Sequence, residues 1–281
     1  MKSLALLWSR HALALPLVAA VLLILPTGSR AAVSDWASNE GGRMRLVVLD
    51  ADAKGNRPAV LQIEPNPGWT TYWREPGDSG IPPSITFAPG SPFGLASLSF
   101  PVPKRLDSGE VRDIGYDAAV SLPMVLSGPI SQAPPALDAT VFIGLCRNIC
   151  IPFQAELTVT LSPATTTSAE ETAIQTAALA RLPEAPSADF AVTSFAMAED
   201  LKQLRLDLML PKGAGERPQI MVTGPNGYVF TEYAAASAGD GRLTVDLPIA
   251  KLPRHYSIAA KTWQVLVISG KRAMESPLAF D

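Results

Sequence analysis

The chain has 281 residues, a formal charge of −3, two cysteines and two histidines. No basic cluster stands out, so nucleic acid is not an expected partner, and a single histidine beyond residue 31 (His255) leaves little for zinc or general-base chemistry. The 26 prolines and 20 glycines interrupt the chain often, which favours short strands and turns over long helices.

At the amino terminus, Lys2, Arg10 and His11 flank the start of an apolar run over 12–26, and Ser29-Arg30-Ala31 places small residues at −3 and −1. That is the form of a secretory signal over 1–31, and its apolar run is short for a membrane span, which needs about 20 residues. The expected mature chain starts at Ala32. Losing Lys2, Arg10 and Arg30 leaves 20 basic against 26 acidic side chains, a charge of −6. Such a chain is expected to be soluble and periplasmic, in a compartment where a disulfide persists.

Strands are predicted over 44–49 and 59–63, parted by the turn-forming Asp52-Ala53-Lys54-Gly55-Asn56. Gly68-Trp69-Thr70-Thr71-Tyr72-Trp73 runs into Arg74-Glu75-Pro76-Gly77-Asp78-Ser79-Gly80, and with Pro82 and Pro83 beyond it reads as a long ordered loop. Short strands follow over 84–87 and 95–100; the segment 111–116 leads into the run 119–126, and apolar β-type runs cover 139–145 and 153–161 on either side of the cysteines. This spacing predicts an immunoglobulin-type β-sandwich over 32–163. The segment 164–187 reads as a linker, with a capping box at Ser168 and Glu171 and a helix over 173–182 stopped by Pro183.

A second β-sandwich is expected over 188–281, from strands at 201–210, 219–223, 228–233, 242–247, 256–260, 263–268 and 277–280. Gly224-Pro225-Asn226-Gly227 is a strong turn between two of them. The expected class is all-β: two immunoglobulin-like β-sandwich domains joined by a short helical linker. Nothing in the second domain is overtly chemical; it positions the first or offers a docking surface.

The chemistry concentrates at Cys146-Arg147-Asn148-Ile149-Cys150-Ile151-Pro152. A Cys-x3-Cys pair serves as a structural staple, a metal clamp or a redox-active dithiol. As a staple it closes only a short loop, worth about 2 kcal/mol in the chain-entropy account against more than about 4 for a long one. Zinc lacks ligands, whereas copper(I) accepts two thiolates; the methionines (Met44, Met124, Met197, Met209, Met221, Met274) are scattered rather than clustered near the pair. Asp78 and Asp113 lie in predicted loops that reach towards the cysteines. No phosphate loop, paired-carboxylate motif or Gly-x-Ser-x-Gly is present. Redox exchange leads, with copper(I) binding by Cys146 and Cys150 and a non-catalytic binding module with a structural disulfide as the alternatives.

The cysteine segment resembles that of the periplasmic amino-terminal domain of DsbD-type thiol:disulfide reductases, especially the ScsB branch. The segment from Gly68 to Gly80, then Phe100-Pro101 and Ile114-Gly115-Tyr116, agree in order, so that the resemblance spans 36–161. It implies an immunoglobulin-like domain whose pair passes electrons to or from periplasmic thioredoxin-fold proteins, with no organic cofactor. Carried over, Cys150 attacks the partner disulfide and Cys146 resolves the mixed disulfide. The resemblance also implies a cap over the pair, here the loop from Trp73 through Asp78 to Gly80, with Tyr72, Tyr116 and Pro152 lining the site. Family members continue into a membrane electron-transfer domain, whereas this sequence stops at Asp281; reduction by a separately encoded membrane protein, thiol shuttling with soluble partners, and a copper-handling or purely binding role are the three possibilities left open.

Overall fold

The computed structural model describes residues 32–77, 79–108, 111–129, 136–161, 167–213, 217–224, 228–239, 241–249 and 252–280. The expected signal segment, Asp78 and turn residues 225–227 lie outside them. A first lobe carries β1 (Ala37–Asn39), β2 (Gly42–Val48), β3 (Arg57–Pro65), β4 (Thr71–Gly77), β5 (Ser84–Thr86), β6 (Gly94–Leu98), β7 (Lys104–Ser108), β8 (Val111–Tyr116), β9 (Val120–Ser127), β10 (Ala136–Cys146) and β11 (Cys150–Thr160). Helix α1 (Ala169–Leu179) follows. The second lobe holds β12 (Ala191–Met197), β13 (Gln203–Met209), β14 (Gln219–Thr223), β15 (Val229–Phe230), β16 (Ala234–Gly239), β17 (Arg242–Pro248), β18 (Thr262–Ser269) and β19 (Arg272–Ala279). The chain is thus all-β as expected, with immunoglobulin-like sandwich layering.

In the first lobe a sheet of order β1-β2-β3-β9-β6 packs against sheets β11-β10-β5 and β4-β8-β7. Period-two alternation decides which side chains fill the gap. Met44, Leu46 and Val48, then Leu61 and Ile63, then Leu122, Met124 and Leu126 point inward from one layer, and Val141, Ile143, Leu145 and Phe153 from the other. The opposite face of β2 and β3 is buried too, because Ile174 and Ala178 of α1 cover Val47 and Val60. This helix begins on the expected capping box: the Ser168 hydroxyl accepts from Glu171 N, and the Glu171 carboxylate accepts from Ser168 N.

The second lobe stacks β12-β13-β17-β16 on β15-β14-β18-β19 around Leu204, Leu206, Val222, Val245, Trp263 and Val265. The near-continuous apolar run of β18 has a clear cause: both its faces are buried. Val265 and Val267 enter the lobe's own core, while Leu266, with Met221 of β14, joins the cluster of the first lobe. Two expectations are corrected. Segment 256–260 is a turn rather than a strand, since His255 and Ala260 take φ of 59° and 56°, outside the extended region that a ladder needs. The loop expected after Trp73 is instead the continuation of β4, which bulges and rejoins β8 where Gly77 pairs with Asp113.

Candidate functional site

Strands β10 and β11 form a hairpin with Ala136 opposite Thr160 at one end and Cys146 opposite Cys150 at the other. Odd-numbered residues of both strands face the core, so the even-numbered cysteines sit on the outer face at the hairpin tip. They are joined, with S–S 2.04 Å and Cα–Cα 4.1 Å. The two cysteines are not equivalent. Cys146 is buried at 6% exposure, and its backbone is held on both sides by Thr70, which donates N–H to Cys146 O (2.8 Å) and accepts from Cys146 N (3.0 Å). Cys150 is exposed. Between them, Ile149 is 68% exposed, an unusual position for a large apolar side chain. The Arg147 guanidinium lies 5.2 Å from the Trp69 ring centroid, a cation–π contact.

Tyr72 of β4 lies against this pair, with its hydroxyl 3.5 Å from Cys150 Sγ and 3.4 Å from Asp113 Oδ2, to which it donates. Asp113, 8% exposed in β8, is also held by Ser79, whose backbone N–H and hydroxyl both donate to it. Burial, and next the negative charge of Asp113, push the Tyr72 hydroxyl up to about 12, so it remains a proton donor at any ordinary pH.

Two glycines make room for the ring. A Cβ on Gly80 would lie 2.4 Å from Tyr72 Cδ1, and one on Gly144 would lie 2.7 Å from Ile81 Cβ and 3.1 Å from Tyr72 Cδ2. The segment that returns from the β4 bulge therefore closes over Tyr72, and Tyr72 over the outer face of the hairpin.

Of the residues singled out in the sequence, the structure brings Cys146, Cys150 and Tyr72 together. Pro152, itself exposed, pairs with the buried Gly144, one step along the same outer face of the hairpin. β11 is the outer strand of its sheet, and an edge is where a proline is tolerated. Trp73 points the other way into the core, 1% exposed, and carries Arg74 over its ring at 4.1 Å.

Tyr116 is also a core residue. It is paired with Thr71, not Tyr72, so alternation turns it from the cysteines; its hydroxyl donates to Pro101 O, and it lines a cleft of about 470 Å³ between the lobes. Asp78 lies outside the described residues. Asp113, expected in a loop, proves to be a strand residue at the site. The roles of Thr70, Ser79, Gly80 and Gly144 were not foreseen, since each depends on a long-range contact. Among the described residues, no group of three or more His, Cys, Asp or Glu side chains is placed to hold a metal ion.

Residues 44–162 match the family described as thiol:disulfide interchange protein DsbD, N-terminal. The solved N-terminal periplasmic domain of ScsB from Proteus mirabilis has the same fold, with a TM-score of 0.70 and 21% identity, covering 89% of this chain and 100% of that one. No curated protein sequence matches the chain. The first lobe, with its disulfide at the tip of its last hairpin, is a DsbD amino-terminal-type domain.

Proposed function

We propose that the chain is a periplasmic thiol:disulfide exchange protein, a protein-disulfide reductase component, with Cys146 and Cys150 as its working pair and thioredoxin-fold proteins as its partners. The observation that carries this reading is the asymmetry of the disulfide, which joins an exposed residue, Cys150, to a buried one, Cys146. A partner thiolate reaches Cys150, the Cys146–Cys150 bond breaks, and Cys146 leaves with the electron pair as the mixed disulfide forms. In the opposite direction the Cys150 thiolate attacks the partner disulfide, and Cys146 then attacks Cys150 and releases the partner as a dithiol. The Tyr72 hydroxyl, which donates to Asp113 while the pair is oxidised, lies 3.5 Å from the Cys150 sulfur, so its single proton can turn to the thiolate once the pair is reduced.

The segment 1–31 serves as the export signal, supported by its sequence and by the periplasmic origin of the ScsB domain. Residues 32–163 form the exchange domain, 164–187 the linker and 188–281 a second sandwich.

The deciding measurement is the reduction potential, by glutathione titration with thiol trapping and mass readout. A value between about −120 and −270 mV, the range of exchange proteins, supports the proposal; one well below about −300 mV marks a structural bridge and removes it. In parallel, Cys146→Ser is expected to accumulate a mixed disulfide through Cys150. Retention of full function by Cys146→Ser/Cys150→Ser would make the chain a binding module instead.

A further inference from the structure

Ala32 is the first residue expected of the mature chain, and the environment of its nitrogen is unusual. Ala32 O accepts from Val48 N at 2.8 Å, Val33 bridges Val47, and Ser34 N donates to Leu46 O at 2.9 Å, so residues 32–34 are laid along β2. This fixes the Ala32 nitrogen 2.5 Å from Glu171 Oε1.

Glu171 is 1% exposed. Its other oxygen is used by the capping box, accepting from Ser168 N at 2.6 Å. Among the described residues no lysine, arginine or histidine side chain is ion-paired with it. A carboxylate removed from water without a counter-charge is costly, and the backbone N–H donors of a cap compensate it only in part. A capping glutamate usually lies at the surface with one oxygen in water; here the second oxygen accepts from the Ala32 nitrogen.

We propose that Glu171 is the built-in receptor for an α-ammonium group created by cleavage between Ala31 and Ala32. Hydrolysis by an export-linked signal endopeptidase adds water across that amide: Ala31 departs with the carboxylate, and the Ala32 nitrogen becomes an ammonium. This nitrogen is already at hydrogen-bond distance from Glu171, so processing converts a neutral N–H donor into a charge-assisted one. The new pair ties the first residue of the mature chain to α1, and through Ile174 and Ala178 to the outer face of β2 and β3. Processing thereby completes the packing of the exchange domain. The inference deepens the export reading and is independent of what the cysteines do.

The test begins with the intact mass of the chain purified after export, which is expected to correspond to a start at Ala32; any other start overturns the proposal. Two mature forms are then melted, one beginning at Ala32 with a free amine and one with a single glycine added before it. The added glycine is expected to lower the midpoint by about 2–4 °C, the shift that a partly buried ion pair gives in a chain of this size. In a Glu171→Gln background the two forms are expected to melt together. Equal midpoints in the wild-type background, or an equal loss in the Glu171→Gln background, would each overturn the pairing. A glutathione potential in the structural range would leave this result untouched, so failure of the exchange reading and of this one are distinguishable.

Discussion

At the scale of single residues, the site turns on Tyr72, whose hydroxyl faces both Asp113 and Cys150. Replacing it by phenylalanine keeps the ring between Gly80 and Gly144 but removes the donor. In the reduced protein, Tyr72→Phe is expected to move the alkylation of Cys150 to higher pH, by no more than the worth of one neutral hydrogen bond, about 1 kcal/mol. The pH profile of alkylation by iodoacetamide reads this directly, and an unchanged profile would remove Tyr72 from the exchange chemistry.

The same hydroxyl gives a pH dependence of stability. Its pKa is about 12 in the fold against about 10 in the unfolded chain, so the folded state holds the proton more tightly. The contribution is complete below pH 10 and is lost as pH rises from about 10 to 12. Denaturant midpoints across that window are expected to fall more steeply for the wild type than for Tyr72→Phe. Gly144→Ala tests the space rather than the charge. Its new Cβ would press on Ile81 and Tyr72, at an expected cost of about 1–3 kcal/mol in denaturant unfolding, the range for overpacking.

The hairpin of β10 and β11 is the element that presents the cysteines, and its stability does not rest on them. Its pairing runs from Ala136–Thr160 to Cys146–Cys150, and Thr70 adds a further bridge at Cys146. Removing a bridge that closes so short a loop is expected to cost about 2 kcal/mol. Cys146→Ser/Cys150→Ser should therefore fold with an unaltered far-ultraviolet spectrum and a modestly lowered midpoint. Loss of the fold would make the disulfide a staple.

Much of this element was legible in the sequence, because alternation at Val141, Ile143 and Leu145 fixes the core face and leaves Cys146 on the other. The helix was legible through Ser168 and Glu171. What the sequence did not disclose was any contact made by bringing distant strands together. The bulge in β4 rejoins the ladder only because Gly77 finds Asp113, and Tyr116 turns into the core only because its cross-strand partner is Thr71. Segment 256–260 has strand-like composition, yet its backbone turns; Tyr256 serves there as the acceptor for Trp263 Nε1 at 2.8 Å.

For the whole molecule the question is what the second lobe does for the first. Register supplies a row across its inner sheet, in which Met221 faces Leu266 and Leu266 faces Glu275. Met221 and Leu266 belong to the same apolar cluster as Trp73 and Tyr116, so this face of the sheet is spent on the first lobe. Glu275 ends the row with an ion pair to Arg74, which itself stacks on Trp73. Arg74 lies on the bulge of β4, two residues after Tyr72, and the Glu275 backbone is anchored in turn, its N–H donating to Glu184 O at 3.1 Å. The second lobe thus grips the β4 bulge that follows Tyr72, the ring packed beside the cysteines.

Release of that grip is expected to speed reduction of the disulfide by dithiothreitol, a reagent that needs no protein partner. Glu275→Gln and Arg74→Met should each raise the rate about twofold to fivefold, the factor corresponding to loss of a partly exposed ion pair. Because both substitutions break one contact, the double variant should reduce no faster than the quicker single one. Unchanged rates, or effects that multiply in the double variant, would mean that the Arg74–Glu275 pair does not restrain the β4 bulge. In that case Leu266→Ala, expected to cost about 2–5 kcal/mol as a buried truncation, should still lower the midpoint of a single shared unfolding transition, since its side chain is part of the first lobe's core.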